Sequence, residues 1–194
     1  ERIERAIAEG EPTVVRAAAR GLPTEEQALA EDYAAFLEAP HERALAWPKT
    51  ARSRLVASHG LARLAKDNPA AAETQLAAFA PALEFDAADR ARVLHAIALW
   101  SVASYAPDSA RRLAAVPVEA YDDRLHEWRV REAMARLVAW FASRGWAPLP
   151  FQKTVWRHYL SGASGLLHTP TGSGKTLAVF GGPLLQALSA PQPA

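Results

Sequence analysis

Apolar positions through the first 145 residues recur three and four apart and do not alternate with polar ones, a spacing that places them on one face of an α-helix. In PTEEQALAEDYAAFLEAP, Leu29, Tyr33, Phe36 and Leu37 form one such stripe. In DAADRARVLHAIALWSVASY, Val93, Ile97, Trp100 and Ser104 form another, with Asp86 placed as N-cap and Asp89 three residues on. Prolines at 12, 23, 48, 69, 81 and 107 each open or closely precede a helical stretch, as proline does in a first turn. The pattern predicts stacked helical hairpins, without the strict period of a regular repeat. Between Pro117 and Gly145 there is neither Gly nor Pro, and Leu125, Val130, Met134, Leu137 and Phe141 continue one stripe. A single helix is predicted there, from about residue 122 to 144, unbroken at Met134 and ended by Arg144 and Gly145. Downstream, PLPFQKTVWRHYLSG predicts a short amphipathic helix closed by Gly162, GLLH at 165–168 reads as a brief strand, and LAVFGGPLLQALS has helical character.

With 194 residues, half of them apolar, the chain can bury a core. No apolar run reaches the roughly 20 residues that cross a bilayer, so no membrane insertion is expected. The first residues, ERIERAIAEG, carry neither a hydrophobic leader nor an initiating methionine, and the chain reads as an internal piece of a longer product. With no cysteine there is no disulfide framework. Charge changes the picture more. All 21 acidic residues lie at or before Glu132, whereas residues 133–194 hold only Arg136, Arg144, Lys153, Arg157 and Lys175 as charged groups. Seven of the ten glycines stand at or after Gly145. Two differently composed segments therefore meet inside a predicted helix, 1–136 and 137–194. Met134, the only methionine, stands at the junction as a former initiator of the downstream segment; a fusion of two genes and a chimeric assembly leave the same mark. An acid-free segment suits phosphate or nucleic-acid partners as well as an ordinary solvated surface.

The chemistry is concentrated in HTPTGSGKT, residues 168–176. Strand, glycine-rich loop and helix in that order is the setting of a P-loop. Gly172 and Gly174 let successive backbone N–H groups turn inward as a nest for a phosphate, and the helix starting near Lys175 aims its positive end at it. Lys175 then supplies a cation to the β- and γ-phosphates of ATP, the Thr176 hydroxyl is placed to ligate Mg²⁺, and Thr171 and Ser173 shape the loop. The general pattern G-x-x-x-x-G-K-[ST] is broken at its first position, which is Thr169. Elsewhere the chemistry-bearing residues have simpler accounts. The acidic pairs Glu31/Asp32 and Asp122/Asp123 read as solvated helix faces, since neighbours on a helix point apart. His95 and His126 read as packing or surface histidines without ligand partners, and Trp47, Trp100 and Trp128 as core.

Two resemblances add to this. Residues 137–188, LVAWFASRGWAPLPFQKTVWRHYLSGASGLLHTPTGSGKTLAVFGGPLLQAL, resemble the start of ligase-associated, Lhr-type DEXH-box DNA helicases of superfamily 2, which commonly relax the first loop position. The resemblance implies that Gln152, ahead of the loop, reads adenine through its side-chain amide. Phe151 or Trp146 could flank the ring, with ordinary packing the simpler account for both; Trp156 and Tyr159 read as core. It also implies a nucleic-acid partner, DNA before RNA, and a cytoplasmic setting. Residues 69–135 resemble the α-superhelical domain of soluble lytic murein transglycosylases, which implies a helical scaffold with peptidoglycan and a periplasmic setting as the alternative. The expected fold is mainly α: stacked helical hairpins (an α-superhelix) followed by the first βα unit, the P-loop, of an incomplete α/β RecA-like domain. No acidic residue follows Glu132, so an acidic Mg²⁺-binding strand downstream of the loop is missing, and the chain is expected to bind nucleotide without hydrolysing it.

Overall fold

The computed structural model describes residues 5–7 and 11–189; the remaining residues at 1–4, 8–10 and 190–194 lie outside it. The described chain is mainly helical and divides into two compact units, Glu1–Tyr121 and Asp122–Ala194.

The first unit holds α1 (Pro12–Ala19), α2 (Thr24–Glu38), α3 (Ala51–Asp67), α4 (Pro69–Ala82), α5 (Ala87–Ala103) and α6 (Ser109–Ala114), with 3₁₀ turns at Glu42–Ala46 and Val118–Ala120. Sequence neighbours pack on one another, and α3 also lies along α5, as expected of stacked helical hairpins. Tyr33, Phe36 and Leu37 of α2 are buried as the stripe predicts, Leu29 packs at its margin, and Val93 and Ile97 of α5 join the same core. Ser104, the last position of the α5 stripe, is exposed, because the helix ends at Ala103 and Ser104 turns its hydroxyl back onto the Trp100 carbonyl. Side-chain caps start several helices: Thr50 accepts from Ser53 N–H (3.2 Å), Asn68 from Ala71 N–H (3.0 Å) and Asp86 from Asp89 N–H (2.8 Å).

Five of the six prolines stand where helices begin or just ahead of them. Pro81 does not: it lies inside the last turn of α4. The turn tolerates it because Ala77, whose carbonyl faces the proline ring, is exposed, so the lost bond opens to solvent. The helix then ends one residue later, with Glu84 at φ 57° and Phe85 N–H donating to the Ala80 carbonyl at 2.9 Å. Of the acidic pairs, Glu31, Asp122 and Asp123 are exposed, as solvated helix faces are, while Asp32 is half-buried. Asp32 accepts from the Trp47 indole N–H at 2.6 Å, Glu31 pairs with Arg16 at 2.7 Å, and Asp122 caps a helix by accepting from Leu125 N–H at 2.9 Å.

The second unit holds α7 (Asp123–Ala142), α8 (Pro150–Leu160) and α9 (Lys175–Ser189), with α9 packed on both others. The helix α7 runs without interruption through Met134, and the composition step at Glu132 falls inside it. It closes with Gly145 at φ 71° and Trp146 N–H bonded to the Phe141 carbonyl. Ala133, Leu137, Phe141, Trp156 and Leu185 form the core of this unit. Tyr159, expected in it, is 41% exposed, its ring against Gly182 and its hydroxyl donating to Gln186 at 2.8 Å.

The predicted strand is not there. GLLH has no regular structure, Leu166 is 95% exposed, and no strand occurs among the described residues. A strand exists by pairing its N–H and C=O groups with a neighbour, and here no second extended segment lies beside it. The expected βα unit is therefore not formed: the loop and the helix are present without the strand.

Candidate functional site

The loop 169–174 is suspended between an irregular segment and the first turn of α9. Gly172 and Gly174 adopt φ 82° and 85°, the left-handed region open to glycine, while Ser173 between them does not. Backbone hands that alternate over successive residues turn their N–H groups to one side, which is how an anion nest is made. The helix α9 begins directly at Lys175, and its first-turn N–H groups have no partner within the helix. The positive end of α9 and the nest therefore fall together in the sequence.

Three contacts fix the loop's shape. Ser173 Oγ and Thr169 Oγ1 lie 2.7 Å apart, closing the loop at its neck. Lys175 Nζ donates to the Thr169 carbonyl at 2.8 Å, so the ammonium is folded over the loop while its side chain stays exposed. Gln152 Nε2 donates to the Gly174 carbonyl at 3.1 Å from α8. Thr169, where the general pattern has glycine, thus accepts at both its hydroxyl and its carbonyl. The signal for this in the sequence is a pair of hydroxyl residues four apart, Thr169 and Ser173. Thr171 and Thr176 are exposed, Thr176 in the first turn of α9.

Gln152 lies beside the loop, packed inside the fold. It stands in the first turn of α8, is 2% exposed, and uses both ends of its amide inside the fold. Its Oε1 accepts from the N–H of Leu149, the residue that opens the helix, at 2.8 Å, which is half of a capping box, and Nε2 reaches the loop. A Cβ on Gly174 would come within 2.8 Å of Gln152 Nε2, so the loop backbone lies directly on this amide. Turning it outward would take the acceptor from the Leu149 N–H and one of two donors from the Gly174 carbonyl, which also accepts from Ala178 N–H at 3.1 Å. Phe151 beside it is half-buried, and Trp146 is 54% exposed with its ring edge-on to Trp140 at 6.3 Å.

The helix α8 is held to α9 by Trp156, fully buried, whose indole N–H donates to the Leu177 carbonyl at 3.2 Å. The loop is therefore anchored to α8 twice, through Gln152 just before α9 and through Trp156 within the first turn of α9. The arrangement fits a phosphate group: two left-handed glycines, a helix N-terminus and an exposed cation over the loop. Among the described residues no three His, Cys, Asp or Glu side chains converge to hold a metal ion, so Mg²⁺ would depend on Thr176 and on the phosphates themselves.

A second concavity, of about 640 Å³ in the first unit, is walled by Ala87, Ala88, Ala91 and Pro117 with Arg92, His95 and Glu119 among its lining. Its one guanidinium is already engaged, Arg92 donating to Ser58 at 2.5 Å and Asp89 at 3.1 Å.

No protein-family model matches the chain, and neither any curated protein nor any solved structure is detectably similar to it.

Proposed function

We propose that residues 169–176 are a nucleotide-phosphate site and that residues 137–194 are the ATP-contacting start of a DEXH-type nucleic-acid helicase motor. What carries the reading is the union of Gly172 and Gly174 in left-handed conformations with a helix that begins at Lys175. Lys175 would leave the Thr169 carbonyl for the β- and γ-phosphates of ATP, and Thr176 would share Mg²⁺ with them. The resemblance of residues 137–188 supplies the motor class, DNA as the partner and a cytoplasmic setting. Residues 1–136 accompany it as a helical scaffold.

Titration of the chain with Mg·ATP tests the phosphate site. Lys175→Ala is expected to weaken binding about 10- to 100-fold, since a hydrogen bond to a charged group contributes roughly 1.5–3 kcal/mol. No phosphate release is expected from either protein, because no acidic group follows the loop to hold Mg²⁺ or orient water. Wild-type affinity retained in Lys175→Ala would remove the phosphate site. The motor class has its own test: a longer reading frame of the same protein should carry D-E-x-H after the loop.

A further inference from the structure

The expected adenine reader is occupied. A glutamine selects adenine by presenting the oxygen and nitrogen of its amide, side by side, to the base edge. Gln152 instead is 2% exposed, with Oε1 on Leu149 N–H at 2.8 Å and Nε2 on the Gly174 carbonyl at 3.1 Å. To reach a base it would break two bonds inside the fold in order to make two outside it, and the exchange gains nothing. The aromatic groups near it in sequence are the half-buried Phe151 and the 54% exposed Trp146, and stacking on an aromatic ring accepts every base alike.

We infer that this site recognises the triphosphate and is blind to the base, and that Gln152 is a positioning residue which holds the Gly174 carbonyl so that the loop keeps its phosphate-binding shape. The ligand class is a Mg²⁺-bound triphosphate chain, whether carried by a purine or a pyrimidine nucleoside or by none. This rests on the phosphate site proposed above. It follows that loss of the Gln152 amide costs affinity for every triphosphate by the same factor, because the loop and not the base feels the change.

The test uses the whole chain, ¹⁵N-labelled, and follows the backbone amides of Gly172 and Gly174 during titration with the Mg²⁺ complexes of ATP, GTP, CTP and inorganic triphosphate. The four dissociation constants are expected to agree within about fivefold. In Lys175→Ala all four should weaken at least about tenfold, and in Gln152→Met, which keeps the volume but not the amide, all four should weaken by one common factor. ATP bound more than about fivefold tighter than the other three in the wild-type chain overturns base-blindness, and needs no variant to be folded. Unchanged affinities in Gln152→Met overturn the positioning role. Amides that do not respond to any of the four, or affinities indifferent to Lys175→Ala, overturn the phosphate site itself, and this inference falls with it.

Discussion

Single residues decide how closely α8 and α9 approach, and the clearest is Gly181. A Cβ built there would lie 2.0 Å from Trp156 Nε1 and 2.3 Å from Cε2. The indole occupies the space a side chain would need, and its N–H bonds Leu177 one turn earlier on the same helix. In an unconstrained helix, glycine to alanine stabilises by up to about 1 kcal/mol. At Gly181 the sign reverses, because overpacking a closed contact costs about 1–3 kcal/mol and the neighbour is a buried ring with nowhere to go. Gly181→Ala is therefore expected to lower the denaturant midpoint of the second unit. Gly165→Ala, which meets nothing within 4 Å and stands outside the left-handed region, should leave it unchanged. Equal midpoints for the two variants would mean that the indole yields.

Elements that carry their own instructions were legible in the sequence, and those that depend on a partner were not. The α5 start was readable because Asp86 bonds Asp89 N–H three residues on, a purely local contact. The α7 span was readable because one apolar stripe continues between Pro117 and Gly145. GLLH failed as a strand since its residue types describe a preference, whereas a strand requires a neighbour to bond. Gln152 was legible as a polar group ahead of the loop, but its use as a tie depends on α9 folding back onto α8, which no local pattern encodes. Pro81 is the opposite case: a proline pattern alone does not separate a first turn from an exposed last turn that tolerates the lost bond. Continuity of α7 has a direct check. Arg131 and Arg136 are exposed but lie within the helix, whereas Arg144 is exposed just beyond it. Trypsin should cut after Arg144 before either of the others, since cleavage needs locally unfolded chain. Early cuts after Arg131 or Arg136 would show that the helix opens at the junction.

Across the whole chain, the acids are distributed so that the two units should answer pH differently. The second unit has its acidic groups only within its first eleven residues, up to Glu132. In the first unit, Glu38 is held below the usual carboxylate range by its hydrogen bond from Arg16, Glu73 by Arg111 and then Arg112, Glu84 by Lys49, and Asp86 by the backbone N–H of Asp89. Each is more acidic folded than unfolded, so its stabilisation is present above the unfolded pKa, about 4, and disappears as pH falls through the folded value. His59 acts earlier. Burial lowers its pKa below 6.5, repulsion from Arg92 adds to that, and Asp89 opposes it. A histidine more easily charged when unfolded binds extra protons in the unfolded state, so stability is complete above about 6.5 and declines as pH drops through the folded value. Both effects have the same sign and separate windows. Protection factors of the buried Val93 and Ile97 amides of α5, taken against the intrinsic exchange rate at each pH, should therefore fall on acidification in two stages, the first beginning near pH 6.5 and the second below about pH 4. In His59→Gln the first stage should vanish while the second remains. If the early stage survived that substitution, another group would have to carry it.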